Sequence, residues 1–230
     1  AMIRLAALAL AFAASGAALA QEPPPASASP VAAEAPKPKT IDIVLITPLG
    51  AITIALEVER APVTSAYVLK YVDGQRLDGS SFYRAYKVTP DGALGLVQGG
   101  VLNPAKLLPP VAHEPTNKTG LTHSEGAVSL ARGAPGTATA NFFIILGDLH
   151  QLDAQPPGQG DPDGFAVFGR VVAGMDVVRA ILNVPVSATK GEGVMKGQMI
   201  EVPVPIVSAR RVIPLPKPPA PAKPAVKRKR

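Results

Sequence analysis

Ser81-Phe82-Tyr83-Arg84, then Gln98-Gly99-Gly100, then Ser129-Leu130-Ala131-Arg132 leading through Pro135-Gly136-Thr137 to Asn141-Phe142-Phe143-Ile144, is the stretch of this 230-residue sequence whose reading decides the fold. Its apolar and aromatic residues come in short runs bounded by Gly, Pro and Asn, which predicts strands over Phe82–Lys87, Gly95–Gly99, Ala127–Ala131 and Asn141–Leu146. Phe142 and Phe143 are consecutive on one of these strands, so one ring faces the inside of the sheet and the other its outer surface.

Upstream, Ile41–Thr47 and Ala51–Glu59 flank Pro48-Leu49-Gly50, a hairpin signature. In the second run Ile52, Ile54, Leu56 and Val58 alternate with Thr53, Ala55, Glu57 and Glu59, the period of a strand buried on one face. Ala61-Pro62 places proline in the first turn of a helix, with Ala61, Ser65, Val68, Leu69 and Val72 on one face and Asp73-Gly74 at its end. Downstream come a strand over Ala166–Val171 and a helix over Gly174–Leu182, whose buried stripe is Val177, Val178, Ile181 and Leu182. A last strand is expected from Ile206 to Val212, beginning after Pro205 because Pro203 and Pro205 remove two donors from one side of a ladder. Eight short strands and two helices predict a mainly β, closed barrel. With 47% hydrophobic residues, 4% aromatic and no Trp, its core must be Val, Ile, Leu and Ala.

The ends differ in composition. Arg4 and a 16-residue apolar run from Leu5 to Ala18-Leu19-Ala20 predict a secretory signal over residues 1–20, too short for a membrane span and cleaved after Ala20. The mature protein is then expected outside the cytoplasm, in the periplasm of a Gram-negative source, with no membrane span. Residues 21–39 and 214–230, rich in Pro, Ala and Lys, are expected to be disordered, leaving a folded domain at 40–213. Lys217, Lys223, Lys227, Arg228, Lys229 and Arg230 account for the whole net charge of +6. The folded part therefore has no basic excess, and nucleic acid is not expected as a partner. The basic tail could make only a weak contact with an anionic surface.

Common catalytic patterns are absent. No cysteine offers a thiolate or a disulfide, and there is no phosphate loop ending in Lys-Ser/Thr, no H-E-x-x-H and no G-x-S-x-G. His113, His123 and His150 stand singly in Pro- and Gly-rich segments and read as loop or surface histidines. Asp161-Pro162-Asp163-Gly164 lacks the ligands of a calcium loop and reads as a turn. No metal and no cofactor are predicted.

The ordered blocks resemble the cyclophilin family of peptidyl-prolyl isomerases. The resemblance extends to Gly50-Ala51-Ile52-Thr53-Ile54 and Ala61-Pro62, and to Leu152-Asp153, Val167-Phe168-Gly169-Arg170-Val171 and Gly174-Met175, across residues 41–183. It implies an eight-stranded antiparallel barrel capped by two helices, a substrate groove on the outer wall, no cofactor, and proline-containing polypeptides as substrates. It implies Arg84 and Gln98 as catalytic residues, and Phe82, Leu96, Ala131, Arg132, Gly133, Asn141, Phe143, Leu152 and Phe165 as substrate-binding residues. Gly95, Asn141, Gln151 and Phe165 depart from the family's usual aromatic, Gln, Trp and His or Tyr, so the groove is expected to be less aromatic. The reaction is rotation about an X-Pro amide, whose barrier of about 20 kcal/mol comes from C–N double-bond character. A cation beside the prolyl nitrogen stabilises its lone pair as the bond twists, and a guanidinium supplies fixed donors at any relevant pH. The competing reading is a non-catalytic module of the same fold that only grips proline-containing segments.

Overall fold

Thr47 pairs with Gly50 across the two-residue turn Pro48-Leu49, and from there β1 (Ile41–Thr47) and β2 (Gly50–Leu56) run antiparallel through Ile41 opposite Leu56. The Thr47 hydroxyl locks the turn, donating to the Gly50 carbonyl and accepting from the Leu49 N–H. The computed structural model describes residues 38–213; the expected signal at 1–20, nearly all of the linker at 21–39 and the tail at 214–230 lie outside the described residues. Among the described residues no helix is long and apolar enough to cross a membrane.

Seven more strands complete one antiparallel sheet: β3 (Ser80–Lys87), β4 (Gly95–Gly100), β5 (Ala127–Leu130), β6 (Asn141–Leu146), β7 (Ala166–Ala173), β8 (Met199–Ile206) and β9 (Ser208–Arg211), in the order β8-β3-β4-β6-β5-β7-β2-β1-β9. The two edge strands are consecutive in sequence. The Ile206 carbonyl accepts from Gly79 beside β3 at 2.9 Å, and the Val207 N–H donates to Ile46 on β1 at 2.8 Å, so β8 and β9 are one chain bent at Val207 that brings the two ends of the sheet together. Counted this way the sheet is the predicted eight-stranded barrel. Its interior holds Ile43, Leu45, Ile52, Ile54, Leu56, Phe82, Ile144 and Phe168, each at most 2% exposed.

The last strand begins earlier than expected. Met199, not Ile206, opens it, and both prolines lie inside β8. Alternation explains this: Glu201 donates away from β3 to the Pro185 carbonyl and Val207 away from β3 to Ile46, which places Pro203 and Pro205 on that same side, between the two partners. Their missing donors face a gap in the ladder where none is needed.

α1 (Pro62–Asp73) packs against β7 and β9, and α3 (Met175–Leu182) against β2, β3 and β4, as the two apolar stripes require. A third helix, α2 (Thr116–Thr119), was not expected; a single turn ended by left-handed Gly120 is too short to write a periodic stripe. Ala61 cannot cap α1 with its side chain. Glu114, fifty residues on, does so instead: its carboxylate accepts from the Val63 N–H at 3.2 Å, and from the Thr64 N–H and Thr64 hydroxyl at 2.6 Å each. Tyr67 donates to Pro109 O and Tyr71 accepts from Leu108 N, so α1 also fixes the long connection from β4 to β5.

Removing this remote cap should be costly, because a carboxylate both satisfies orphan donors and complements the helix dipole. Glu114→Ala is expected to lower unfolding stability by about 1–2 kcal/mol, read as a lower urea midpoint at unchanged slope, with Glu114→Gln losing less. An unchanged midpoint for the alanine variant would refute the capping role.

Candidate active site

Between Phe82 and Arg84 the register of β3 against β4 shifts: Phe82 faces Gly99 and Arg84 faces Gln98, leaving Tyr83 as an extra residue. This bulge turns two consecutive side chains to the outer wall. Phe82 points into the barrel, where its ring meets Phe142 edge-on at 5.8 Å, and Tyr83 and Arg84 both reach the outside. Opposite the bulge a Cβ on Gly99 would lie 2.9 Å from Ser81 O, and one on Gly100, whose φ is +133°, 2.2 Å from Ala140 O. The Gln98-Gly99-Gly100 block is therefore what lets three strands close around the site.

Arg84 is half-buried and held by two amides. Its Nη1 donates to Gln98 Oε1 at 2.8 Å, and its Nε and Nη2 donate to Gln198 Oε1 at 2.9 and 2.6 Å. Gln98 in turn donates from Nε2 to the Tyr83 hydroxyl at 2.9 Å. Burial pushes the guanidinium's pKa down, and the Tyr83 and Tyr86 hydroxyls oppose the shift.

Beside it opens a groove of about 710 Å³. Ten of the eleven expected residues line it: Arg84, Leu96, Gln98, Ala131, Arg132, Gly133, Asn141, Phe143, Leu152 and Phe165. Phe82 does not; the bulge leaves it in the core with no exposed surface. Of the four departures from the family's pattern, Asn141 and Phe165 line the groove and the other two do not. Gly95 lies under Leu182 of α3, where a Cβ would meet Tyr86 O at 2.6 Å, and Gln151 is exposed; neither lines the groove. Tyr83 and Tyr86 line it instead, and Val194 and Met195 form a further wall.

The floor is a stack of rings. Phe143 lies parallel to the His123 imidazole at 5.9 Å, and Phe165 meets Phe143 edge-on at 5.3 Å. Arg132 covers Phe165 at 5.1 Å and is tied to Gly164 O and Asp161, so the 161–164 turn is stapled to the groove. Asn141 Oδ1, at the groove, is buried without a hydrogen-bond partner. Among the described residues no cluster of three or more His, Asp or Glu side chains could hold a metal ion.

A family model described as cyclophilin type peptidyl-prolyl cis-trans isomerase matches residues 41–210. The chain belongs to this family. A peptidyl-prolyl cis-trans isomerase of Acinetobacter baylyi is 34% identical over 169 residues, which cover 71% of this chain and 81% of that protein. Peptidyl-prolyl cis-trans isomerase A of Dickeya dadantii is 37% identical over 147 residues, covering 62% and 71%. The fold is shared with a crystal structure of a Cryptosporidium parvum cyclophilin-type isomerase, at a TM-score of 0.58 and 16% identity over 77% of this chain and all of that one. Like its relatives, the chain is a peptidyl-prolyl cis-trans isomerase.

One feature of this cyclophilin's site refines a sequence reading. His123 lies in a loop, as expected, but not at the surface: it is fully buried, with Nδ1 2.6 Å from Asp153 Oδ1 and Nε2 3.1 Å from Ser129 Oγ. Burial pushes its pKa down and Asp153 pulls against that, so the ring is neutral, donating from Nδ1 to Asp153 and accepting the Ser129 hydroxyl at Nε2. The order serine, histidine, aspartate is that of a hydrolase triad, but Ser129 has no exposed surface beneath Phe143, and no substrate carbonyl reaches it. The one local signal was Leu152-Asp153, which fixes the histidine's partner thirty residues away.

An imidazole with a depressed folded pKa leaves the unfolded chain holding more protons between the two values, so stability is intact above about pH 6.5 and is lost as pH falls below it. Asp153 and His150 are the ionisable side chains that face it. Melting temperature is expected to fall between pH 7 and 5 in the wild type and to fall less in His123→Gln; the salt-bridged Asp73 and Asp78, whose pKa values are lowered, act only in more acid solution. Equal slopes for both proteins would contradict the assignment.

Proposed function

We propose that this cyclophilin accelerates X-Pro rotation in exported proteins by presenting the Arg84 guanidinium to the prolyl nitrogen of a peptide whose proline ring rests on Phe143. The observation that carries the reading is that Arg84 and Phe143 share one groove with Leu96, Leu152 and Phe165, an apolar seat whose other arginine, Arg132, is paired with Asp161 while Arg84 is not ion-paired among the described residues. In the ground state the nitrogen lone pair is delocalised into the carbonyl and has little to offer a donor. As the amide twists the lone pair localises, and the cation's attraction grows only then, which is the condition for lowering a barrier rather than tightening binding. Gln98 holds Nη1 and is itself held by Tyr83, so the guanidinium is oriented before substrate arrives. Ala131, Arg132 and Gly133, which line the groove, supply backbone groups for an extended peptide.

A chymotrypsin-coupled assay on an X-Pro peptide tests this. Arg84→Ala is expected to lose about 10²-fold in kcat/KM with its melting temperature kept, and Arg84→Lys to fall between, because one compact ammonium cannot occupy both glutamine carbonyls and the nitrogen. An alanine variant as fast as the wild type would leave the groove a binding site only.

The exported destination rests on residues 1–20, with their basic start, apolar run and Ala-Leu-Ala end. Clients would then be X-Pro-containing chains folding after export, where uncatalysed isomerisation takes tens of seconds. Mass spectrometry of the protein from a periplasmic fraction is expected to find an N-terminus at Gln21; a chain retaining residues 1–20 would contradict cleavage.

A further inference from the structure

Two of the three hydrogen bonds that hold Arg84 go to a residue outside every block of the sequence pattern. Gln198 stands immediately before β8, where its carbonyl accepts from Ala85 N at 3.0 Å beside the bulge, and its N–H donates to Met195 O at 3.1 Å. Its side chain is fixed at both ends: Oε1 takes Nε and Nη2 of Arg84, and Nε2 donates to Val194 O at 2.7 Å. The segment carrying Val194 and Met195, which wall the groove, is thus joined to the guanidinium through one amide.

The grip carries no charge of its own: like Arg76, on the Lys106 carbonyl, and Arg170, on the Glu125 carbonyl and Ser124 hydroxyl, Arg84 bonds only neutral oxygens, although it alone of the three lines the groove. Arg60, Arg132, Arg179, Arg210 and Arg211 each pair with a carboxylate, of Glu57, Asp161, Glu125, Asp78 and Asp73 respectively. Arg84 takes part in no ion pair among the described residues; both of its partners are neutral oxygens. A carboxylate would hold it more strongly, since it adds the attraction of an opposite charge to the same hydrogen bonds. It would also cancel the field that the reaction needs, and in a half-buried site that field is poorly screened.

We propose that Gln198 is a positioning residue of the isomerase, which orients Arg84 on the face away from Gln98 while leaving its positive charge uncompensated. This rests on the reading of Arg84 given above. A purely structural role makes the opposite demand on side-chain choice: glutamate is isosteric, accepts the same two hydrogen bonds and binds a guanidinium better.

The test is Gln198→Glu and Gln198→Ala in the full chain, each also combined with Arg84→Ala. Both single variants are expected to lose tenfold or so in kcat with KM little changed, while the melting temperature of Gln198→Glu stays at or above wild type. In the Arg84→Ala background neither change should slow the reaction further, because the effect acts through Arg84. A Gln198→Glu enzyme as fast as wild type, alongside an inactive Arg84→Ala, would overturn the role of Gln198 and leave that of Arg84 standing. An active Arg84→Ala would overturn both.

Discussion

One extra residue in β3 decides which way the functional cation points. In a regular strand Phe82 and Arg84, two apart, share a face, and Phe82 is wholly inside the barrel. Without the bulge the guanidinium would be driven into an aliphatic interior at a desolvation cost no hydrogen bond there could offset. With it, Arg84 emerges next to Tyr83 on the outer wall, Ala85 returns to the core, and Tyr86 faces out again. The glycines at 99 and 100 and the register shift of β3 against β8 between Phe82 and Arg84 accommodate the same irregularity.

The barrel was largely legible because its signals are local. The alternation through Ile52, Ile54 and Leu56, the stripe through Val177, Val178, Ile181 and Leu182, and proline after Ala61 each place an element to within three residues. The failures are non-local. The expectation for Pro203 and Pro205 assumes a complete ladder, whereas the closure at Val207 leaves their side unpartnered. The resemblance implies Phe82 in the groove, and nothing in Ser81-Phe82-Tyr83-Arg84 marks where the extra residue falls. Gln198 is 114 residues from Arg84, and no spacing rule joins them.

The groove floor depends on polar groups that never touch its surface. Phe143 must lie flat to support a ring, and an aromatic at the end of a flexible stack would tilt. Beneath it His123 is pinned by Asp153 on one nitrogen and Ser129 on the other, and the strand pairing of Ser129 with Phe143 ties that pin to the floor itself. A buried histidine with both nitrogens satisfied is rigid, whereas an aliphatic residue of similar volume would offer no fixed orientation. Phe165 and Arg132 brace the other side through the 161–164 turn.

Arg84 and the ion-paired arginines meet different chemical demands. Where the task is to join two elements, as with Arg211 to Asp73 between β9 and α1, a carboxylate partner serves, and exposure keeps its contribution small. Where the task is to act on a nitrogen whose electron pair becomes available only in the transition state, a partner of opposite charge is a competitor. Amide oxygens give the guanidinium direction through their dipoles and leave its monopole free, at the expense of a weaker hold. Two of them, on opposite flanks and each anchored by its own second hydrogen bond, recover in rigidity what each lacks in strength.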